Sequence, residues 1–210
     1  MHIITEIKEF SKAKIRYLFK DDTCLTLYKG MYNGDGEIME DKDYDSFLSE
    51  MIAYGKKRAM NLLVKKSYSR RALEKKLEDD GYDPIIILKI FEFLDSYHYL
   101  NDEALAESLI MNNKAVKSKA EIRFLLKKRE ISDEVAEKAM EEYYVKDEDD
   151  PEDQNPELKA VIRLLKKINM TPDKIAELDF KEKQKLAARF YRKGFKSDVI
   201  SKALKLEIFE

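Results

Sequence analysis

The sequence predicts a mainly α-helical protein built from three tandem three-helix repeats, with a small N-terminal β-hairpin element before them. Charged residues make up 39% of the 210 residues, whereas the chain has only 6 Gly and 4 Pro, a balance that favours helices over turn-rich β folds. From about residue 45 onwards, apolar residues recur at helical spacing between well-marked helix starts. Three helix-to-helix turns share one apolar pattern, which indicates repeated units that would stack into an elongated, curved body.

Residues 1–54 predict the β element and a helix that leads into the repeats. Three segments are rich in β-branched and aromatic residues with roughly alternating polarity: residues 3–10, 14–20 and 23–29. Ile15, Tyr17 and Phe19 would share one face of the second strand. The segment 31–41 follows, and its two glycine-containing turn signals predict a loop.

Helix boundaries after the β element are marked by capping residues. The predicted starts are Ser69, Asp83 with Pro84, Asn101, Ser118 with Glu121 three residues later, Ser132, Pro156, Asp179 and Asp198. Asp83 is expected to accept amide hydrogens of the helix that Pro84 begins. Residues 147–156 are acidic and carry two prolines, which predicts a solvated linker. The predicted repeats therefore occupy residues 55–100, 101–146 and 157–210.

The repeats are defined by aligning Gly81, Glu130 and Gly194, each at the turn between the second and third helices of its unit. Apolar residues coincide four positions before this turn and one, five and nine positions after it. The aligned sets are Leu77, Leu126 and Phe190; Tyr82, Ile131 and Phe195; Ile86, Val135 and Val199; and Ile90, Ala139 and Ala203. A glycine at such a turn can adopt the left-handed conformation that ends a helix. We expect Tyr82 and Phe195 to pack into the unit cores.

Three segments carry a pattern found in a known family: SYSRRALEKKLEDDGYD (residues 67–83), SYHYLNDEALAESLI (96–110) and FYRKGFKSDVISKAL (190–204). They resemble the RecX family of bacterial regulators of the recombinase RecA, and the resemblance extends from about residue 59 to residue 204. The sequence departs from the family pattern at His98 and Glu130, where glycine is frequent. It also departs at Leu105, where an aromatic residue is usual.

The resemblance implies a non-enzymatic regulatory protein made of tandem three-helix units. Members of the family are thought to lie along the groove of a RecA filament on single-stranded DNA. There they modulate, and usually inhibit, filament growth, ATP hydrolysis and recombination. We therefore expect a RecA filament as the partner and a role in DNA repair, recombination and the SOS response. A direct contact between the basic helices and single-stranded DNA stays open.

Basic residues on or beside the predicted middle helix of each repeat form the candidate set for binding a partner or DNA. They are Arg70, Arg71, Lys75 and Lys76 in repeat one; Lys117, Lys119, Arg123, Lys127 and Lys128 in repeat two; and Lys185, Arg189, Arg192 and Lys193 in repeat three. Like charges four positions apart destabilise an isolated helix slightly. Such pairs are easier to explain if phosphates or carboxylates of a partner lie against them. The alternative is a solvated surface that neighbouring glutamates neutralise.

The sequence offers no catalytic constellation, no metal site and no cofactor motif. His2 and His98, the two histidines, lie in different segments, and Cys24 is the single cysteine, which excludes an internal disulfide and fits a reducing cytoplasm. No apolar run approaches the length of a membrane span, and the N-terminus lacks a signal-peptide core. We therefore expect a cytoplasmic monomer without enzymatic activity.

Two other functions stay open on the sequence. An α-helical-repeat adaptor between proteins would bind through an apolar groove, and its binding would not respond to nucleic acid. A helix-turn-helix-like DNA-binding protein would prefer duplex DNA and depend on its sequence, since three-helix units can mimic that motif.

Overall fold

The computed structural model describes residues 1–34, 37–144 and 155–205. Its contacts divide the chain into two units, Met1–Asn101 (unit 1) and Asp102–Glu210 (unit 2). The described residues form ten helices and an N-terminal antiparallel sheet, which confirms the predicted fold class. Residues 147–154 of the predicted acidic linker lie outside the described residues.

The sheet of unit 1 has four strands, so it is larger than the predicted hairpin element. The strands are β1 (His2–Ser11), β2 (Lys14–Phe19), β3 (Cys24–Tyr28) and β4 (Ile38–Met39), in the spatial order β3-β2-β1-β4. β4 falls within the segment that we predicted as a loop. It pairs with His2 and Ile3 of β1, and a two-residue strand is too short to show the alternation by which strands are predicted.

Three helices complete unit 1: α1 (Asp41–Lys65), α2 (Arg70–Asp79) and α3 (Pro84–Ser96). The Ser69 hydroxyl caps α2 by accepting a hydrogen bond from the Ala72 amide at 3.2 Å, as predicted. The core lies between these helices and one face of the sheet, and it includes the fully buried Leu27, Met51 and Ile90.

Seven helices are described in unit 2: α4 (Asp102–Asn113), α5 (Lys119–Lys128), α6 (Asp133–Tyr144), α7 (Pro156–Lys167), α8 (Pro172–Glu177), α9 (Phe180–Tyr191) and α10 (Ser197–Leu204). The predicted capping box of Ser118 and Glu121 begins α5. The helices have two separate apolar cores. One includes Ile110 and Leu126, and the other includes Leu165. Each set of three longer helices thus buries its own apolar side chains.

The three aligned turns have the same backbone geometry. Gly81, Glu130 and Gly194 adopt left-handed φ values of 81°, 55° and 79°. In each turn the amide of the next residue donates to the carbonyl five positions earlier: Tyr82 to Leu77 at 3.0 Å, Ile131 to Leu126 at 3.2 Å, and Phe195 to Phe190 at 3.3 Å. This is the Schellman arrangement for ending a helix. Tyr82 and Phe195 are buried, so their predicted packing is confirmed.

His98 occupies a further left-handed turn, with φ of 52°, at one of the positions where the resembled family often has glycine. We expect His98→Gly to stabilise unit 1 by about 1 kcal/mol, because glycine has no Cβ to strain this conformation. The free energy of unfolding in urea, followed by circular dichroism, measures the gain. The control is Ser96→Gly, since Ser96 lies in the last turn of α3. This substitution should lower the free energy of unfolding by roughly 0.5–1 kcal/mol, because glycine is unfavourable within a helix. Equal effects of the two substitutions would contradict the prediction.

Candidate interaction surface

Asp83 joins the sheet to repeat one through a buried carboxylate. It is 1% exposed and accepts hydrogen bonds from the Thr26 amide at 2.6 Å, the Thr26 hydroxyl at 2.9 Å and the Cys24 thiol at 3.2 Å. Arg16 Nη2 lies 3.5 Å away. Asp83 stands at the N-cap position of α3, but its side chain makes no capping hydrogen bond. The predicted capping role is therefore wrong, because the carboxylate holds β3 against the start of α3.

The same contact makes Cys24 a poor nucleophile. Burial and the neighbouring Asp83 carboxylate raise the pKa of the Cys24 thiol to about 11. The thiolate is the reactive form of cysteine, and it is scarce at neutral pH when the pKa is this high. Cys24 thus acts as a small structural side chain beside Asp83.

Asp80 gathers three basic side chains at the end of α2. Its carboxylate accepts from Arg58 Nε at 2.7 Å and from Lys76 Nζ at 3.1 Å. The buried Lys14 donates to its backbone carbonyl at 2.7 Å. Burial opposes ionisation of Asp80, but the hydrogen bonds from Arg58 and Lys76 outweigh it and hold the pKa of the carboxyl below its ordinary value. Lys76, a member of the candidate set, therefore has an internal partner.

The lowered pKa of Asp80 predicts how stability depends on pH. The folded state binds fewer protons at Asp80 than the unfolded chain does, so this contribution is present at neutral pH and is lost as the pH falls below about 4. We expect Asp80→Asn to destabilise the protein at pH 7, and we expect the difference from wild type to shrink towards pH 3. Urea unfolding across this range is the measurement. Asp79→Asn, at an exposed neighbour, is the control, and a difference independent of pH would contradict the assignment.

The other candidate residues of repeat one lie on α2. Arg70 forms a bidentate ion pair with Asp95, at 2.8 and 3.0 Å, and its guanidinium lies 4.6 Å from the centre of the Phe91 ring. It thereby links α2 to α3. Arg71 and Lys75 are exposed on the same helix.

In repeat two, α5 carries most of the candidate residues. Arg123 pairs in bidentate fashion with Glu137 on α6, at 2.8 and 2.9 Å. The Lys119 amide donates to the buried Glu157 carboxylate at 2.8 Å, so α5 is tied to the start of α7. Lys127 and Lys128 are exposed at the end of α5. The structure thus divides the set into residues that join helices and residues that face solvent.

Unit 2 has a groove between α5 and the turn after α9, which we name the α5–α9 groove. Its volume is about 400 Å³, and its lining includes Lys117, Ala120, Phe124, Leu125, Arg192 and Gly194. A second groove of about 720 Å³ lies between α9 and α10, and its lining includes Lys185, Tyr191, Arg192 and Ile200. Arg192 borders both grooves, so they adjoin.

The cations around the two grooves are not neutralised by the part of the chain that the structure describes. There, the side chains of Lys117, Lys185, Arg192 and Lys193 make no hydrogen bond or ion pair, unlike Arg123. Lys185 and Arg192 are exposed, and Lys117 and Lys193 are half-buried. Arg189 is exposed on α9 but lines neither groove. The candidate set therefore contributes four cations to the two grooves.

The sequence did not reveal two aromatic side chains at these grooves. Phe124 is 67% exposed and Tyr191 is 66% exposed, and each borders one groove. Their exposure could have been inferred from the sequence, because both residues fall outside the apolar positions that the repeats share. An exposed aromatic side chain on a helix is otherwise unfavourable, and such residues are enriched where proteins bind partners.

Within the described ranges, no group of three or more histidine, cysteine, aspartate or glutamate side chains could hold a metal ion. No helix in those ranges is long and apolar enough to cross a membrane.

Comparisons with known proteins agree on one family. A family model described as RecX, third three-helix domain, matches residues 157–204. The chain is 27% identical to the regulatory protein RecX of Clostridium acetobutylicum, with 98% of this chain and 96% of the relative covered. It is 29% identical to the regulatory protein RecX of Bacillus subtilis, with coverage of 97% and 76%.

Two crystal structures have a similar fold. One, of a regulatory protein RecX, covers 99% of this chain and all of its own, with a TM-score of 0.57 and 18% identity. The other, of RecX from Lactobacillus salivarius, covers 75% of this chain and 96% of its own, with a TM-score of 0.59 and 23% identity.

Proposed function

This chain belongs to the RecX family, and from that premise we propose that it is a regulator that binds the RecA nucleoprotein filament and restrains its growth, ATP hydrolysis and recombination activity. It acts by binding and not by catalysis, in the cytoplasm, as part of DNA repair and the SOS response. The names of the relatives support a regulatory role.

One observation on this chain itself supports the proposal. Repeats two and three place four cations around two adjoining grooves, the exposed Lys185 and Arg192 and the half-buried Lys117 and Lys193, and the described residues provide no acidic partners for their side chains. A filament of RecA on single-stranded DNA offers carboxylates and phosphates in a repeating array. Several weak contacts on one chain then act together, because binding of one raises the effective concentration of the others. The exposed Arg71 and Lys75 of repeat one would add to them.

The test is single-stranded-DNA-dependent ATP hydrolysis by the cognate RecA, measured with increasing amounts of this protein. We expect suppression at well below one copy per RecA protomer. Arg192→Glu/Lys193→Glu should raise the amount needed for half suppression about tenfold, which corresponds to roughly 1.4 kcal/mol. No suppression by the wild-type protein at one copy per protomer would contradict the proposal and favour an adaptor that acts elsewhere.

A matched control is available in the same unit. Lys166 and Lys167 are also adjacent and basic, and they end α7 as Arg192 and Lys193 follow α9. Both are exposed, whereas Lys193 is half-buried. They line neither groove. Lys166→Glu/Lys167→Glu makes the same change of charge, so it should leave the suppression within about twofold of wild type, since distant surface charges contribute little.

A further inference from the structure

We propose that the α5–α9 groove binds a short acidic, amphipathic peptide segment of a protein partner, with the partner's apolar side chains on the groove floor and its carboxylates against Lys117, Arg192 and Lys193. This inference rests on the proposed function and extends it by naming the chemistry of the bound segment. The inference can be wrong even if the protein does restrain the RecA filament.

The floor of the groove is suited to apolar anchors. Ala120, Leu125 and the exposed face of Phe124 contribute to its lining, and the adjoining groove continues with Ala187, Ala188 and Ile200. Grooves of this type take the apolar face of a helical or extended segment, whose side chains recur at fixed spacing. A large exposed aromatic such as Phe124 is the kind of residue on which binding energy concentrates.

The rim of the groove selects for negative charge. Lys117 stands on one side, and Arg192 and Lys193 stand on the other. Glu121 also lines the groove, but its carboxylate accepts the Ser118 amide at 3.2 Å as part of the capping box. Complementary charge at a rim fixes the register of a partner and excludes segments of the wrong sign.

Two observations favour a peptide over a nucleic acid strand. The start of α5 would be the natural phosphate site, yet its amides are already used: Glu121 donates to the Ser118 hydroxyl at 3.1 Å and Lys119 to Glu157 at 2.8 Å. In addition, residues 102–210 contain 23 basic and 24 acidic residues. Unit 2 therefore lacks the excess positive charge that draws a long polyanion, whereas a short acidic segment needs only the local cations.

A second copy of this chain does not supply such a segment through its own acidic run. Residues 147–153 read DEDDPED and contain no large aliphatic or aromatic side chain, so they would leave the floor of the groove uncovered.

The experiment measures fluorescence anisotropy with the full chain and three labelled probes of equal length. The first is a 16-residue peptide with Leu and Phe at helical spacing between Glu and Asp residues. The second replaces its Glu and Asp by Lys, and the third is a 16-nucleotide oligo-dT. We expect the acidic peptide to bind about tenfold tighter than either of the others. Arg192→Glu/Lys193→Glu and Phe124→Ala should each weaken it about tenfold, and Lys166→Glu/Lys167→Glu less than about twofold.

Every other outcome overturns the inference. Equal or tighter binding of oligo-dT, weakened by the same variants, would identify a nucleic acid site. Absent binding of the acidic peptide, or binding that Phe124→Ala and the Arg192/Lys193 variant leave unchanged, would show that the groove is not the site. Phe124 is mostly exposed, so its substitution leaves the folded chain available for the measurement. None of these results depends on RecA, so suppression of its ATPase is judged separately.

Discussion

Replacing Asp83 by alanine is expected to destabilise unit 1 by about 3–5 kcal/mol, since breaking a buried, hydrogen-bonded charge pair leaves its partners uncompensated. The Thr26 amide and hydroxyl both donate to this carboxylate, and Arg16 faces it at 3.5 Å. Without it, the Thr26 amide is left buried without an acceptor, and that alone costs about 1–3 kcal/mol. The edge of the sheet also loses its attachment to α3.

The measurement is urea unfolding followed by circular dichroism and, independently, by labelling of Cys24. The thiol is unreactive in the folded sheet because burial and Asp83 raise its pKa, so labelling reports on opening at this contact. Asp79→Ala removes a carboxylate from an exposed position four residues away, and it should change stability by less than about 0.5 kcal/mol. A value for Asp83→Ala within 1 kcal/mol of this control would show that the sheet is held by apolar packing instead.

Local features of the fold were predictable from the sequence. Each aligned turn is specified within about six residues: a left-handed position, an apolar residue before it and another after it. Even Glu130, which lacks the conformational freedom of glycine, was placed correctly by the flanking Leu126 and Ile131, because both point into one core. Capping boxes are equally local, and that at Ser118 was found for the same reason.

Contacts between distant segments could not be predicted in the same way. Asp83 reads as a helix cap because Pro84 follows it, yet its partner Thr26 is 57 positions away. Within the candidate set, no sequence pattern indicates that Arg70 and Arg123 pair with residues on neighbouring helices. Those pairs depend on how two helices cross. The same is true of the grooves, which form where the turn after α9 contacts α5 and where α9 packs against α10.

Gly194→Ala is expected to destabilise unit 2 by about 2–4 kcal/mol. About 1 kcal/mol arises because φ of 79° strains a residue with a Cβ. The remainder arises from overlap, since the new Cβ would lie 2.8 Å from Ala120 Cβ and 3.1 Å from Ser118 Oγ. Neither neighbour can move easily, because Ser118 caps α5 and donates to the Lys193 carbonyl at 2.6 Å. Urea unfolding of the full chain measures the loss.

A double-mutant cycle separates strain from overlap. Ala120→Gly removes the Cβ that Gly194→Ala would meet, so the two substitutions together should cost about 1–3 kcal/mol less than the sum of their separate effects. Glu130 supports the separation of backbone strain from steric overlap. It adopts φ of 55° in the equivalent turn of repeat two, so a side chain at this backbone position is tolerated where there is space for it. Additive effects in the cycle, or a cost of Gly194→Ala below 1 kcal/mol, would mean that the turn and α5 are not in close contact. The α5–α9 groove, which these two elements enclose, would then lose its structural basis.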